Sequence, residues 1–279
     1  MPRLRNRRIH YAQLVTAIGG VDSKQERLIS AFASVRREDF LGPGPWRIRA
    51  GAEYVETPTD DPAFLYADVL VALPNQEKIN NGQPSLHARC INALNIKSGE
   101  SIIHIGAGTG YYSAILVEMI GPTGSVIAYE IDEELARLAS NNLASQACAN
   151  VQNHSGTAYP LPACDVIYVN AGVTGPPETW LDALNPGGRL LFPLTNSESF
   201  GAMLLIERKD KEQFSAKFIS QASFIPCIGA RDEKTAFGLT EAFQSGKARD
   251  VKSFHQNTKP DDSCWFATDN WWLSTTQVK

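Results

Sequence analysis

Three glycines and one acid have the residue types and spacing to hold a small ligand. In the stretch Ser101–Asp132, SIIHIGAGTGYYSAILVEMIGPTGSVIAYEID, glycines stand at Gly106, Gly108 and Gly110, and Glu130 follows the last of them by twenty positions. Glycine lets a backbone turn tightly and approach a ligand that a Cβ would exclude. A carboxylate at that distance, at the tip of the next strand, can accept the protons of both ribose hydroxyls.

The spacing narrows the ligand. It is G-x-G-x-G and not the dinucleotide pattern G-x-G-x-x-G, because Tyr111 stands where the third glycine should be. A ligand with adenosine but no pyrophosphate is favoured, and S-adenosyl-L-methionine fits that description. An NAD-linked oxidoreductase is disfavoured on the same ground.

Regular elements must position these residues. The apolar run Ile102, Ile103 and Ile105 reads as a strand, and Tyr112, Ile115, Leu116 and Met119 share one helical face. Val126–Tyr129 reads as a second strand, so the stretch is one βαβ unit, with free helix N–H groups facing the turn.

The alternation continues. A helix is expected within Asp132–Ala147, with Leu135, Leu138, Ala139 and Leu143 inward, then a short strand at Val151–Asn153 and a turn at His154-Ser155-Gly156. A strand at Val166–Val169 ends on Asn170, and a helix is expected at Pro176–Leu184. The turn Asn185–Gly188 leads into Arg189–Phe192, and Met203–Glu207 with Phe214–Phe218 reads as an antiparallel pair. This pattern predicts an α/β fold: a doubly wound, mostly parallel, seven-stranded Rossmann-like sheet with helices on both faces. Ligands of such sheets bind beyond the carboxyl ends of the strands. That rule gathers Gly106–Gly110, Glu130, Ser155-Gly156 and Asn170-Ala171 on one edge.

Ahead of this unit lies an N-terminal helical cap. One helix is expected with Tyr11, Leu14, Val15 and Ile18 inward, ended by Gly19-Gly20, and a second at Ser23–Val35 with Leu28, Phe32 and Val35 inward. Phe40–Arg49 holds too much proline and glycine for regular structure, and Asp68–Leu73 reads as strand-like. The polar turn Asn80–Gly82 feeds a helix whose inner face is Leu86, Cys90 and Leu94. The expected organisation is therefore a cap over residues 1–79, a ligand-binding domain over 80–229, and an extension over 230–279. Three of the five tryptophans, Trp265, Trp271 and Trp272, lie in that extension, which reads as a tail packing on the domain.

Composition excludes several classes. A net charge of −4 and a pI near 5.8 give no general reason to expect nucleic acid as a partner. The five cysteines are scattered without a C-x-x-C, which points to free thiols in a reducing compartment and to no metal site. No apolar run approaches membrane-spanning length and no secretory h-region opens the chain, so a cytoplasmic location and no membrane partner are expected. The first 21 residues carry Arg3, Arg5, Arg7 and Arg8 and no acid. A solvated, partly frayed terminus is the plain reading, beside a presequence or a nucleic-acid arm.

The residues from about Arg36 to about Gly229 resemble the protein-L-isoaspartate O-methyltransferase family. The matching segments are VRREDF (Val35–Phe40), NNGQPSLHA before the sheet, HIGAGTGY at the glycine turn, AYEID at the acidic tip, and NPGGRLLFPL in a late strand. Three departures stand out. Gly82 occupies the place of a family serine or threonine whose hydroxyl faces the methyl acceptor. His154-Ser155-Gly156 replaces a G-D-G turn whose aspartate contacts the adenine, and His104 replaces an aspartate.

The resemblance implies an S-adenosyl-L-methionine-dependent O-methyltransferase. Gly106, Ala107, Gly108 and Gly110 would take the amino-acid end of the cofactor, Glu130 the ribose and Ser155-Gly156 the adenine, with Ile131 also among the cofactor-binding residues. His87 matches a cofactor-contacting histidine. Gln83 and Ser85 would close over the acceptor, with Ser85 supplying the hydroxyl that Gly82 lacks. The acceptor would be an isoaspartyl carboxylate of a damaged protein, or another peptide or small molecule. A binding module that keeps the fold without turnover is the alternative, motivated by the lost hydroxyl and aspartate. The sequence leaves the oligomeric state open.

Overall fold

The computed structural model describes residues 2–74 and 79–278; residues 75–78, which fall in the expected cap, and the two end residues lie outside the described residues. In chain order the elements are α1 (Pro2–Ile18), α2 (Glu26–Ser34), the hairpin strands β1 (Arg47–Ala50) and β2 (Glu53–Glu56), α3 (Pro84–Leu94), β3 (Ser101–Ile105) and α4 (Tyr111–Ile120). Next come β4 (Ser125–Tyr129), α5 (Glu133–Asn142), β5 (Ala149–Gln152), β6 (Cys164–Val169), α6 (Glu178–Ala183), β7 (Leu184–Thr195) and β8 (Phe200–Arg208). The chain ends with β9 (Phe214–Ser223), α7 (Glu233–Gln244), β10 (Ser253–Gln256), β11 (Cys264–Ala267) and β12 (Trp271–Ser274). This is the expected α/β, Rossmann-like alternation. Two compact units result: residues 1–100 with 107–154, and residues 101–106 with 155–279.

In the first unit, α1 buries Tyr11, Ala12, Val15 and Thr16 and packs against α2 and α3. Leu14 and Ile18, expected inward, are 49% and 50% exposed. The helix can turn Thr16 inward instead because its hydroxyl donates to the Ala12 carbonyl at 2.6 Å, which removes the penalty for burying it. The arginine-rich start is helical from Pro2, where proline is pre-set for a first helical turn, and Arg3, Arg5 and Arg7 are exposed as expected of a solvated terminus. Leu28, Phe32 and Val35 are buried as expected.

Two further expectations change. The Pro- and Gly-rich stretch becomes regular at Arg47, just past its last proline, as β1 pairs with β2. Asp68–Leu73 is not a strand; only the bridges Ile48↔Val71 and Ala72↔Asn80 form there. Within the segment Val69 O accepts from Arg37, while Leu70 O accepts from Arg49 N–H, Val71 O from Asn81 N–H, and Ala72 N–H donates to Arg47 O, so its bonds are divided among several neighbours and no continuous ladder runs with any of them. Leu41, Trp46, Leu65, Val71, Leu73 and Leu135 close a core beneath this segment. Strands β4 and β5 pair in parallel, from Val126↔Ala149 to Tyr129↔Gln152. Asp132 caps α5 by accepting the Leu135 amide at 2.9 Å.

The second unit carries eight strands in the order β11-β12-β10-β9-β8-β7-β6-β3. β3, β6 and β7 run parallel, and β7, β8 and β9 form an antiparallel run. This one unit already exceeds the seven strands expected for the whole sheet. The excess comes from the C-terminal extension, which does not simply pack as a tail. β10 pairs with β9, β12 with β10, and β11 with β12. Ile102, Ile103 and Ile105 of β3 are buried, each such side chain contributing about 1.5–3 kcal/mol of burial.

Candidate functional site

In the first unit, the turn after the first glycine is fastened to the end of β4. Ala107 N–H donates to the Tyr129 carbonyl at 3.1 Å, and Gly108 N–H donates to Glu130 Oε2 at 2.7 Å. The other carboxylate oxygen, Oε1, accepts the Asp132 amide at 3.0 Å. Glu130 is buried, and burial pushes its carboxyl pKa above the ordinary value, opposed by those backbone amides. Three backbone amides thus face the carboxylate, those of Asp132, Gly108 and Ile131, and its remaining lone-pair capacity can take a further donor. Ile131 beside it is an exposed apolar side chain. The pair offers two acceptors next to an apolar surface, which suits a ribose and the face of a base.

The glycines of the turn have positive φ, +75° at Gly106, +57° at Gly108 and +92° at Gly110, a region that L side chains rarely adopt. At Gly110 a Cβ would also press on Leu143 Cδ1 at 3.2 Å. Gly110 caps α4, and Asn142 Nδ2 ties the turn to α5 by donating to the Thr109 carbonyl at 2.9 Å.

The loop before α3 is the second cluster of the first unit. Gly82 has φ +71°, and a Cβ there would overlap His87 Nε2 and lie 2.9 Å from Cδ2. His87 is buried and stacks on Tyr112, with ring centroids 3.6 Å apart; the Tyr112 hydroxyl donates to the Gly82 carbonyl at 3.3 Å. The imidazole thus fills the space a side chain at position 82 would need. Asp68 gathers the rest of the loop: its Oδ1 accepts Ser85 N–H at 2.8 Å, and its Oδ2 accepts Ser85 Oγ at 2.7 Å and Gln83 Nε2 at 2.9 Å. Ser85 is buried, with its hydroxyl proton on Asp68, whereas Gln83 is exposed.

In the second unit, His104 and Asn170 flank the first glycine. Asn170 Nδ2 donates to His104 Nε2 at 2.7 Å, which places the imidazole proton on Nδ1. His104 is fully buried, and desolvation drives its pKa down to about 3, so it stays neutral. It stacks on Tyr168. A Cβ at Gly106 would touch Asn170 at 3.4–3.7 Å.

Ser155 and Gly156 lie in a turn braced from both sides. Trp180 Nε1 donates to the Gly156 carbonyl at 2.8 Å, and a Cβ on Gly156 would strike Ile105 at 2.8 Å. Ser155 Oγ accepts Thr157 N–H at 3.2 Å and bonds Thr157 Oγ1 at 2.8 Å. Its hydroxyl is largely engaged within its own turn.

Among the expected site residues, Glu130 with Gly108, and Gln83 with Ser85, are brought together within the first unit. Asp68, Arg37, Tyr112 and Trp180, which brace these clusters, were not singled out from the sequence. Asn170 was placed on the ligand edge as a strand tip, but nothing local marks Asp68 or Arg37, whose partners lie 15 to 44 positions away. Among the described residues no group of three or more His, Cys, Asp or Glu could hold a metal ion, and no helix is long and apolar enough to cross a membrane.

Comparison with known proteins bears on what these clusters do. The family model described as Protein-L-isoaspartate(D-aspartate) O-methyltransferase (PCMT) matches residues 19–232. The chain is 28% identical over 207 residues to a Protein-L-isoaspartate O-methyltransferase of Brucella anthropi, covering 73% of this chain and 86% of that protein. A solved protein-L-isoaspartate O-methyltransferase superposes with TM-score 0.64 at 23% identity, over 84% of this chain and 69% of the other. A Plasmodium falciparum protein described as a beta-aspartate methyltransferase, solved with S-adenosyl-L-homocysteine, gives TM-score 0.62 at 17% identity, over 79% of this chain and 97% of the other. The structural likenesses speak to the fold.

Proposed function

Because this chain belongs to the protein-L-isoaspartate(D-aspartate) O-methyltransferase family, we propose that it transfers the methyl group of S-adenosyl-L-methionine to the carboxylate of an isoaspartyl residue in a damaged protein. It is a methyltransferase whose cofactor carries an electrophilic methyl on a sulfonium. The observation that supports the cofactor reading best is the bond from Gly108 N–H to Glu130, which sets a two-oxygen acceptor against a Cβ-free turn.

Each residue then has a task. Gly106, Ala107, Gly108 and Gly110 admit the amino-acid end, and Glu130 takes the ribose hydroxyls. Ile131 lines the base, and Ser155-Gly156 is assigned to the adenine. His87, clamped on Tyr112, closes on the cofactor, and Gln83 and Ser85 belong to the acceptor loop.

Little proton chemistry is asked of the protein. An aspartyl-type carboxylate has an ordinary pKa near 4 and is ionised at neutral pH, so no general base is needed. What the chain must supply is alignment of acceptor and methyl donor and exclusion of water. The absence of a hydroxyl at Gly82 is therefore compatible with turnover, provided another donor orients the acceptor. None of the five cysteines is in a disulfide, which suits a reducing compartment, and we place the enzyme in cytoplasmic protein repair.

The test is transfer of labelled methyl to an isoaspartyl peptide, with the aspartyl peptide as control. A base-labile ester formed only on the isoaspartyl peptide is expected. Measurable S-adenosyl-L-homocysteine binding without transfer would instead favour a binding module or a different acceptor.

A further inference from the structure

Asp68 sits on a segment held rigid from below. The Arg37 guanidinium is fully buried; its Nη1 donates to Leu65 O at 2.7 Å and Ala67 O at 3.1 Å, and its Nη2 to Val69 O at 2.6 Å and Asn81 Oδ1 at 3.1 Å. Four of its five donors are therefore used, which is what makes a buried guanidinium tolerable. The Ala67 and Val69 carbonyls flank Asp68, and Asn81 precedes Gly82. One guanidinium thus ties the Asp68 segment to the turn of the acceptor loop.

The two polar side chains that Asp68 receives are not equivalent. Ser85 has one hydroxyl hydrogen, and it is directed at Asp68 Oδ2. The Gln83 amide nitrogen has two hydrogens, of which Asp68 takes one. A carboxylate also selects which end of that amide faces it, because Oε1 turned toward Asp68 would set two acceptors against each other.

We propose that Asp68 is a positioning residue for methyl transfer, orienting the Gln83 amide so that its second Nε2 hydrogen is presented to the acceptor carboxylate in place of the hydroxyl that Gly82 lacks. This rests on the reading of residues 82–85 as the acceptor side of the site. In this arrangement Ser85 is part of the mount, and Gln83 is the group that touches substrate.

Asp68→Asn tests it at constant size. An asparagine has one acceptor oxygen for the donors of Ser85 and an N–H2 group that favours Gln83 Oε1, so the Gln83 amide turns over and sets an oxygen toward the acceptor. The expected result is a tenfold or larger rise in KM for an isoaspartyl peptide, a kcat changed less than threefold, and an S-adenosyl-L-homocysteine Kd and thermal midpoint near wild type. Gln83→Ala should raise KM similarly, and the double variant should add little, since groups acting as one unit are non-additive. Unchanged KM in Asp68→Asn, additive effects in the double variant, or KM and cofactor Kd rising together would each overturn the proposal. Wild-type protein that binds S-adenosyl-L-homocysteine but methylates no isoaspartyl peptide would overturn the functional reading and the acceptor role with it. An active wild type with an indifferent Asp68→Asn overturns the positioning role alone.

Discussion

The Gly108 amide and the Glu130 carboxylate are 2.7 Å apart, so the glycine turn and the acidic tip of β4 are one rigid piece before any ligand arrives. A carboxylate held this way is pre-organised for a diol, and it loses little freedom on binding.

Glu130→Ala should therefore weaken S-adenosyl-L-methionine and S-adenosyl-L-homocysteine tenfold or more, about 1.4 kcal/mol, measured by calorimetric titration. Glu130→Gln separates binding from folding. Burial raises the folded pKa of Glu130 above its ordinary value, so its stability contribution is full below the unfolded pKa and is lost as pH rises through the folded one. At pH 7 the ionised carboxylate is a burden on the free protein. Glu130→Gln removes the buried charge but turns an N–H2 group toward one of the two amides that Glu130 accepts, so it should lower the thermal midpoint at pH 7 less than Glu130→Ala does while weakening the cofactor comparably. A midpoint several degrees lower with unchanged affinity would contradict this.

Restoring a hydroxyl at position 82 should fail. Gly82→Ser puts a Cβ onto the His87 ring at a backbone with φ +71°, and overpacking of this kind costs about 1–3 kcal/mol. Urea denaturation should show that loss, and Gly82→Ser combined with His87→Ala should recover part of it. A stable single variant with raised isoaspartyl activity would show that the loop re-forms more freely than its stacking implies.

His104 should make the protein acid-sensitive. Its folded pKa is lowered to about 3 against an unfolded value near 6.5, so the unfolded chain binds the extra proton and stability falls as pH drops between those values. Between pH 6.5 and 5 that amounts to about 2 kcal/mol for one histidine. Denaturation curves at pH 7 and pH 5 should show a drop of this order in wild type and a smaller one in His104→Asn. Equal drops in both would assign the acid sensitivity elsewhere.

Trp180→Phe keeps the buried ring and removes the bond to the Gly156 carbonyl, a loss of about 1 kcal/mol. The effect should appear in cofactor affinity as well as in stability, because the freed carbonyl belongs to the turn assigned to the adenine. A change in stability alone would confine Trp180 to structural support.

How much of this was legible follows from how local each signal is. The glycine turn, its helix and Glu130 are written within thirty residues, and the fold could be read from that alternation. Leu14 and Ile18 were misplaced because apolar periodicity cannot foresee that Thr16 satisfies its hydroxyl on its own helix. Asp68–Leu73 looked like a strand because nothing nearby reveals that its backbone divides its bonds among Arg47, Arg49, Asn81 and the Arg37 side chain. Ser85 looked like a replacement hydroxyl because its commitment to Asp68 exists only in three dimensions. The extension resisted reading for the same reason, as its strands pair with β9 and with each other.

That pairing changes what the end of the molecule exposes to its neighbours. Without β10, the start of strand Phe214–Ser223, at Phe214 and Ser215, would present open ladder groups, a template for joining another chain edge to edge. The extension exchanges it for β11, four residues long and joined to β12 through an irregular register, which is a poor template. The last fifty residues therefore cover part of that edge, and a protein shortened to the family-matching portion is expected to aggregate more readily even where its turn and acceptor loop are intact.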